Sequence, residues 1–131
     1  MPQIPRLENE TRLFVNAFLG SSYPDEVKEA ALFNLSALRS QTTFRIPSGH
    51  LMGWEGVWNR SGSCKGTCTH VWNYEVSTPF LFGELAKTMR DVELNYATKP
   101  NGLMNFRADL PLSEAANRNF PAADGQMGCV M

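Results

Sequence analysis

An all-α class is predicted by three stretches of this sequence. Leu7, Thr11, Phe14, Val15 and Phe18 recur at three- and four-residue steps with polar residues between them. The segment from Ala30 to Leu38 is apolar except for Asn34 and Ser36, as in a helix buried on several sides. Phe82, Leu85, Ala86, Met89 and Val92 fall on one helical face, with Glu84, Lys87, Arg90 and Asp91 opposite.

Taken in order, the first helix ends at Gly20 and the Ser21-Ser22 pair. The second runs from about Pro24 to Ser40, with Pro24 in its first turn and Asp25 and Glu26 beside the positive end of the helix dipole. Thr42 to Ile46 is β-branched and aromatic and Pro47-Ser48-Gly49 is a turn, so a short strand or extended arm is expected there. Gly53 to Gly66 is too rich in glycine and serine for regular structure and reads as a long functional loop. The third helix starts between Asn73 and Thr78 and holds Pro79 in its first turn or at a kink. Asn101-Gly102 marks a turn, and Leu103 to Leu112 is a hairpin arm or loop. Asp124 caps a last helix that turns Met127, Val130 and Met131 inward and has no stop signal, which is the expectation for a domain truncated at this end.

Composition narrows the function. The chain has 131 residues, a length that suits one domain, and 12 Lys and Arg against 13 Asp and Glu. The net charge of -1 gives no electrostatic reason to expect nucleic acid or an anionic membrane as partner. No apolar run approaches the roughly 18 residues of a membrane helix. No basic-then-apolar leader opens the sequence, so a cytoplasmic location is expected. Three cysteines, an odd count, do not form a disulfide framework.

The chemistry concentrates in Gly53-Trp54-Glu55-Gly56 and in Ser63 to Tyr74, which together hold two of the three cysteines, Cys64 and Cys68. Glu55 lies between glycines that permit tight backbone geometry, and Trp54 and Trp58 offer flat apolar surfaces of the kind that stack on sugar rings. Spacing alone favours a solvated loop charge for Glu55, since glycoside hydrolysis needs two carboxyl groups. Cys64, Cys68 and His70, with Cys129 or His50, make a conceivable soft-metal set, but the spacing is not that of a zinc knuckle and no metal or other cofactor is expected. His70, Trp72 and Asn73 precede the third helix, where unpaired amides collect and a polar ligand can dock. Trp72 and Tyr74 read equally as core aromatics, and Asn73 as a cap. Arg107, in an otherwise apolar segment, is a candidate to bind sugar hydroxyls or to pair with a carboxylate such as Glu55.

Tyr23 to Leu35, Gly53-Trp54-Glu55-Gly56, Gly66-Thr67-Cys68-Thr69-His70-Val71-Trp72-Asn73-Tyr74-Glu75 and Leu85 to Glu93 resemble the catalytic region of glycoside hydrolase family 116, the non-lysosomal glucosylceramidases and bacterial and archaeal β-glucosidases. The resemblance implies an incomplete part of an (α/α)6 toroid with residues 1–131 as one partial catalytic domain, and a β-glucoside or glycolipid as substrate. It implies a retaining mechanism with Glu55 as nucleophile and Trp54, His70, Trp72, Asn73 and Arg107 around the sugar. Its acid aspartate matches no residue of this chain, so the remaining part of the barrel is an expected partner and the chain alone is expected to show little activity. The alternative is a non-catalytic carbohydrate-binding or helical interaction module.

Overall fold

Pro5 in the first turn and the apolar spacing that follows produce helix α1, Ile4–Leu19, which closes with the Gly20 N–H on the Asn16 carbonyl at 2.8 Å. Helix α2, Asp25–Leu35, follows with Asp25 and Glu26 in its first turn, where the dipole favours acids. The computed structural model describes residues 3–57, 60 and 62–131, and its contacts divide the chain into two units, Met1–Asn34 and Leu35–Met131.

The expectation for the second helix is corrected in two ways. It stops at Leu35, continues as a 3-10 turn over Ser36–Arg39, and buries none of its residues, with Phe33 69% exposed. An apolar circumference is buried only where neighbours surround it, and this one remains accessible.

Among the described residues of the second unit, six short strands pair antiparallel in three two-stranded sheets. Strands β1, Thr43–Arg45, and β2, Leu51–Gly53, pair across the Pro47-Ser48-Gly49 turn in the register Phe44 opposite Met52, so the short strand expected at Thr42 to Ile46 is one arm of a hairpin. Strands β3, Gly56–Val57, and β4, Gly62–Ser63, pair within the glycine-rich loop. Strand β5, Thr67–Cys68, pairs with β6, Arg107–Ala108, and so draws the distant Arg107 opposite Cys68. The fold is therefore helix-dominated but mixed rather than clearly all-α, with three small sheets among the described residues in place of a single short hairpin.

The expected third helix is broken into α3, Thr69–Asn73, α4, Ser77–Leu81, and α5, Gly83–Asp91, followed by a π-helical turn over Val92–Tyr96. Pro79 does lie in the first turn of α4, where its missing N–H costs nothing. The last helix, α6, is Ala123–Val130, and its inner face is also corrected: Gly125 and Cys129 are buried, while Met127, Val130 and Met131 are exposed. Small residues on this face let α6 approach α3 closely, and that closeness outranks side-chain hydrophobicity.

Strand β2 separates two apolar clusters, because successive residues of a strand point to opposite faces. Met52, fully buried, joins Val92, Ala97, Ala108 and Ala115. Leu51 joins Trp72 and Met89 on the other side. Gly53 ends the strand against Trp72: a Cβ there would lie 2.1 Å from the indole, whose Nε1 donates to the Gly53 carbonyl at 2.9 Å. No helix among the described residues is long and apolar enough to cross a membrane.

Candidate functional site

Immediately past Gly53, the Trp54 amide donates to the Thr42 carbonyl at 2.9 Å and its ring meets Phe44 edge-on, 5.7 Å between centroids. These contacts fix Trp54 and Glu55 at the wall of a cavity of about 570 Å³ that Ser40, Thr42, Thr43 and Glu75 also line. That volume falls within the roughly 300–1,000 Å³ of small-molecule sites. The Trp54 Nε1 is buried and has no acceptor, and the cavity wall carries the hydroxyl residues Ser40, Thr42 and Thr43.

Glu55 pairs with Arg107, Oε1 to Nη2 at 2.7 Å, and its side chain is 26% exposed. Burial pushes its pKa up, but hydrogen bonds from Arg107, Cys64 and Cys68 outweigh that and hold the carboxyl below its ordinary value. Arg107 is fixed in turn by the Cys64 carbonyl at 3.1 Å and by the Phe106 ring, 5.0 Å below its guanidinium carbon. The arginine that stands out in an apolar sequence segment is thus the partner of the candidate carboxylate.

The other expected ligand residues divide. Trp72 lines the cavity, yet it is 8% exposed and its N–H is committed to Gly53, so its main role is packing. His70 and Asn73 are not among the cavity's lining residues. Asn73 donates to the Asp124 carbonyl at 3.2 Å and ties α3 to α6. His70 Nδ1 hydrogen-bonds to Asp124 Oδ2, and the ring stacks on Phe106 at 6.3 Å and meets Tyr74 edge-on at 5.3 Å. The hydrogen bond to His70 holds the Asp124 carboxyl below its usual range. Asp124 therefore pairs with a histidine rather than capping α6, whose N-cap is Ala122. Trp58 lies outside the described residues.

Glu75 was not marked by its sequence context. It lines the cavity beside Glu55, and its two oxygens accept the Ser77 and Thr78 amides at 3.0 and 3.2 Å. Both oxygens are thereby engaged in holding the start of α4.

A further polar chain lies at the β1–β2 turn. Ser48 Oγ is 2.8 Å from His50 Nδ1, His50 Nε2 is 2.8 Å from Asp91 Oδ2, and Asn95 donates to Asp91 Oδ1 at 2.7 Å. With Nε2–H donating to Asp91, Nδ1 accepts the serine hydroxyl. Asn95 first and His50 second hold the Asp91 carboxyl low. This chain clamps the hairpin turn to α5.

Among the described residues no group of three or more His, Cys, Asp or Glu is placed to hold a metal ion. Cys68 adjoins Glu55 while His70 serves Asp124, so the conceivable metal set has separate partners. No protein-family model matches this chain, and no curated protein matches it either.

Proposed function

We propose that this chain carries the nucleophile half of a retaining β-glycosidase site, on the helical toroid that its resemblance to glycoside hydrolase family 116 implies. The observation that carries the reading is Glu55: a carboxylate at a cavity of about 570 Å³, kept in its anionic form by Arg107 and flanked by Trp54. A nucleophile must be ionised to attack an anomeric carbon, and an aromatic residue with neighbouring hydroxyls suits a pyranose. The proton donor of such a mechanism is a separate group, and Glu75 is unsuited to it because it spends both oxygens on backbone amides. The substrate class is a β-glucoside, soluble or glycolipid.

An activated leaving group removes the need for a proton donor, which lets the chain be tested by itself. Incubation with 2,4-dinitrophenyl 2-deoxy-2-fluoro-β-D-glucoside is expected to leave a fluoroglucosyl ester on Glu55, located by peptide mass mapping and absent from Glu55→Gln. An adduct on another carboxylate, or binding of the sugar with no adduct, would remove Glu55 from the nucleophile role, the latter in favour of a carbohydrate-binding module.

A further inference from the structure

The loop that carries Glu55 also carries two thiols, and three features bring them to that carboxylate. The β3–β4 ladder pairs Gly56 with Ser63, and continuing it by one step sets Glu55 opposite Cys64. The β5–β6 ladder pairs Cys68 with Arg107, the residue whose guanidinium holds Glu55. Between the two cysteines the backbone reverses through Cys64 at φ 51° and Gly66 at φ 92°. Both thiols hydrogen-bond to the same carboxyl group.

All three cysteines of the chain are thiols, but they differ in access: Cys64 is exposed, whereas Cys68 and Cys129 are buried. Cys129 lies apart, against Arg90, with Nη1 2.6 Å from its sulfur. Exposure gives an oxidant a route to Cys64, and convergence on Glu55 sets Cys68 within reach to resolve the product.

We propose that Cys64 and Cys68 are a hydroperoxide-oxidised pair that closes into a disulfide and thereby withdraws both thiol hydrogen bonds from Glu55. The Cys64 sulfur attacks one peroxide oxygen, the O–O bond breaks, and Cys64 sulfenic acid and one water form. The Cys68 sulfur then attacks the sulfenic sulfur, the S–O bond breaks, and the departing hydroxide takes the Cys68 proton to leave a second water. Two thiols lose two electrons and one hydrogen peroxide is reduced to two waters. Burial pushes the Cys68 thiol pKa up, which suits it to the second step rather than the first. As regulation, the switch rests on the reading of Glu55 as nucleophile; as chemistry, it does not.

The test uses the whole reduced chain treated with equimolar hydrogen peroxide, blocked with N-ethylmaleimide in denaturant and digested with trypsin. Lys65 separates the two cysteines in sequence, so the expected product is a cross-linked pair of peptides, two hydrogens lighter than their sum and split by reductant. Thiols titrated in denaturant should fall from three to one, the two in the bridge being lost and Cys129 retained. Cys129→Ser should still form the bridge, and Cys64→Ser or Cys68→Ser should abolish it. Sulfinic acid on Cys64 with Cys68 alkylated, a bridge to Cys129, or a bridge between two chains would each overturn the proposal. These results are read by mass, so failure of the fluoroglucoside to label Glu55 leaves them standing and removes only their link to glycoside chemistry.

Discussion

Two glutamate–arginine–cysteine clusters in this protein use the same three side chains and reach opposite electrostatic outcomes. Glu55 with Arg107, Cys64 and Cys68 is held below its ordinary pKa. Glu93 with Arg90 and Cys129 is pushed above it, first by burial and against the pull of Arg90. Cys129, buried beside that carboxylate, is pushed up to about 12. The Glu55 side chain keeps 26% of its surface in contact with water, and that of Glu93 keeps none. Glu93 Oε1 has no hydrogen-bond partner, which adds an uncompensated acceptor to the desolvation cost. An arginine alone therefore does not secure an ionised carboxylate; access to solvent and a full set of donors decide between a charge that can do chemistry and one that strains the core.

The largest effect that tests this contrast is expected from Glu93→Ala, which leaves a void beside Arg90 and should cost about 3 kcal/mol in urea unfolding, as breaking a buried pair does. Glu93→Gln should cost less than about 1 kcal/mol, because it keeps the volume and removes the charge that burial penalises. A folded pKa raised above the unfolded one gives stability that is present below about 4.5 and lost as pH rises, so Glu93→Gln should gain on the parent chain with rising pH. A large loss at neutral pH from Glu93→Gln would mean that its charge is needed after all.

Glu55→Gln should cost about 1–2 kcal/mol at neutral pH, less than Glu93→Ala, and should show the opposite pH dependence to Glu93→Gln. Its lowered pKa gives stability that is present above about 4.5 and lost as pH falls through the folded value, so acid titration of unfolding should bring variant and parent together. The smallest change is Arg107→Lys, which keeps the charge and loses the planar fork over Phe106, at about 0.5–1 kcal/mol. An equal loss from Arg107→Ala would show that stacking, not pairing, holds this arginine.

The two clusters also differ in how far they could be read from sequence. Arg107 was conspicuous as the charge in an apolar segment, and Glu55 as the acid between glycines, so their pairing was within reach of inspection. Glu93 was not. Helical periodicity places Arg90 and Asp91 on a polar face, and a π-helical turn over Val92–Tyr96 widens the helix there and turns Glu93 inward beside the core residue Val92. Cys129 was hidden for a related reason: hydrophobicity selected Met127 and Val130 for the inner face, whereas the buried residues are Gly125, tight against Thr69 and His70 of α3, and Cys129, against Arg90. Asp124 read as a helix cap because the histidine it pairs with is 54 residues away in sequence. Periodicity reports what a regular element would bury, and misses both an irregular turn and a partner brought by long-range folding.

Strand β2 has one more consequence. Leu51 is keyed into one apolar cluster and Met52 into the other, so a slip of one residue would exchange both side chains into the wrong cluster at once. The strand is thereby indexed twice, like a key cut on both edges, and the tryptophan and glutamate that follow inherit its alignment. Hydrogen exchange at the Trp54 amide should accordingly track opening of the core, not the fraying of a surface loop.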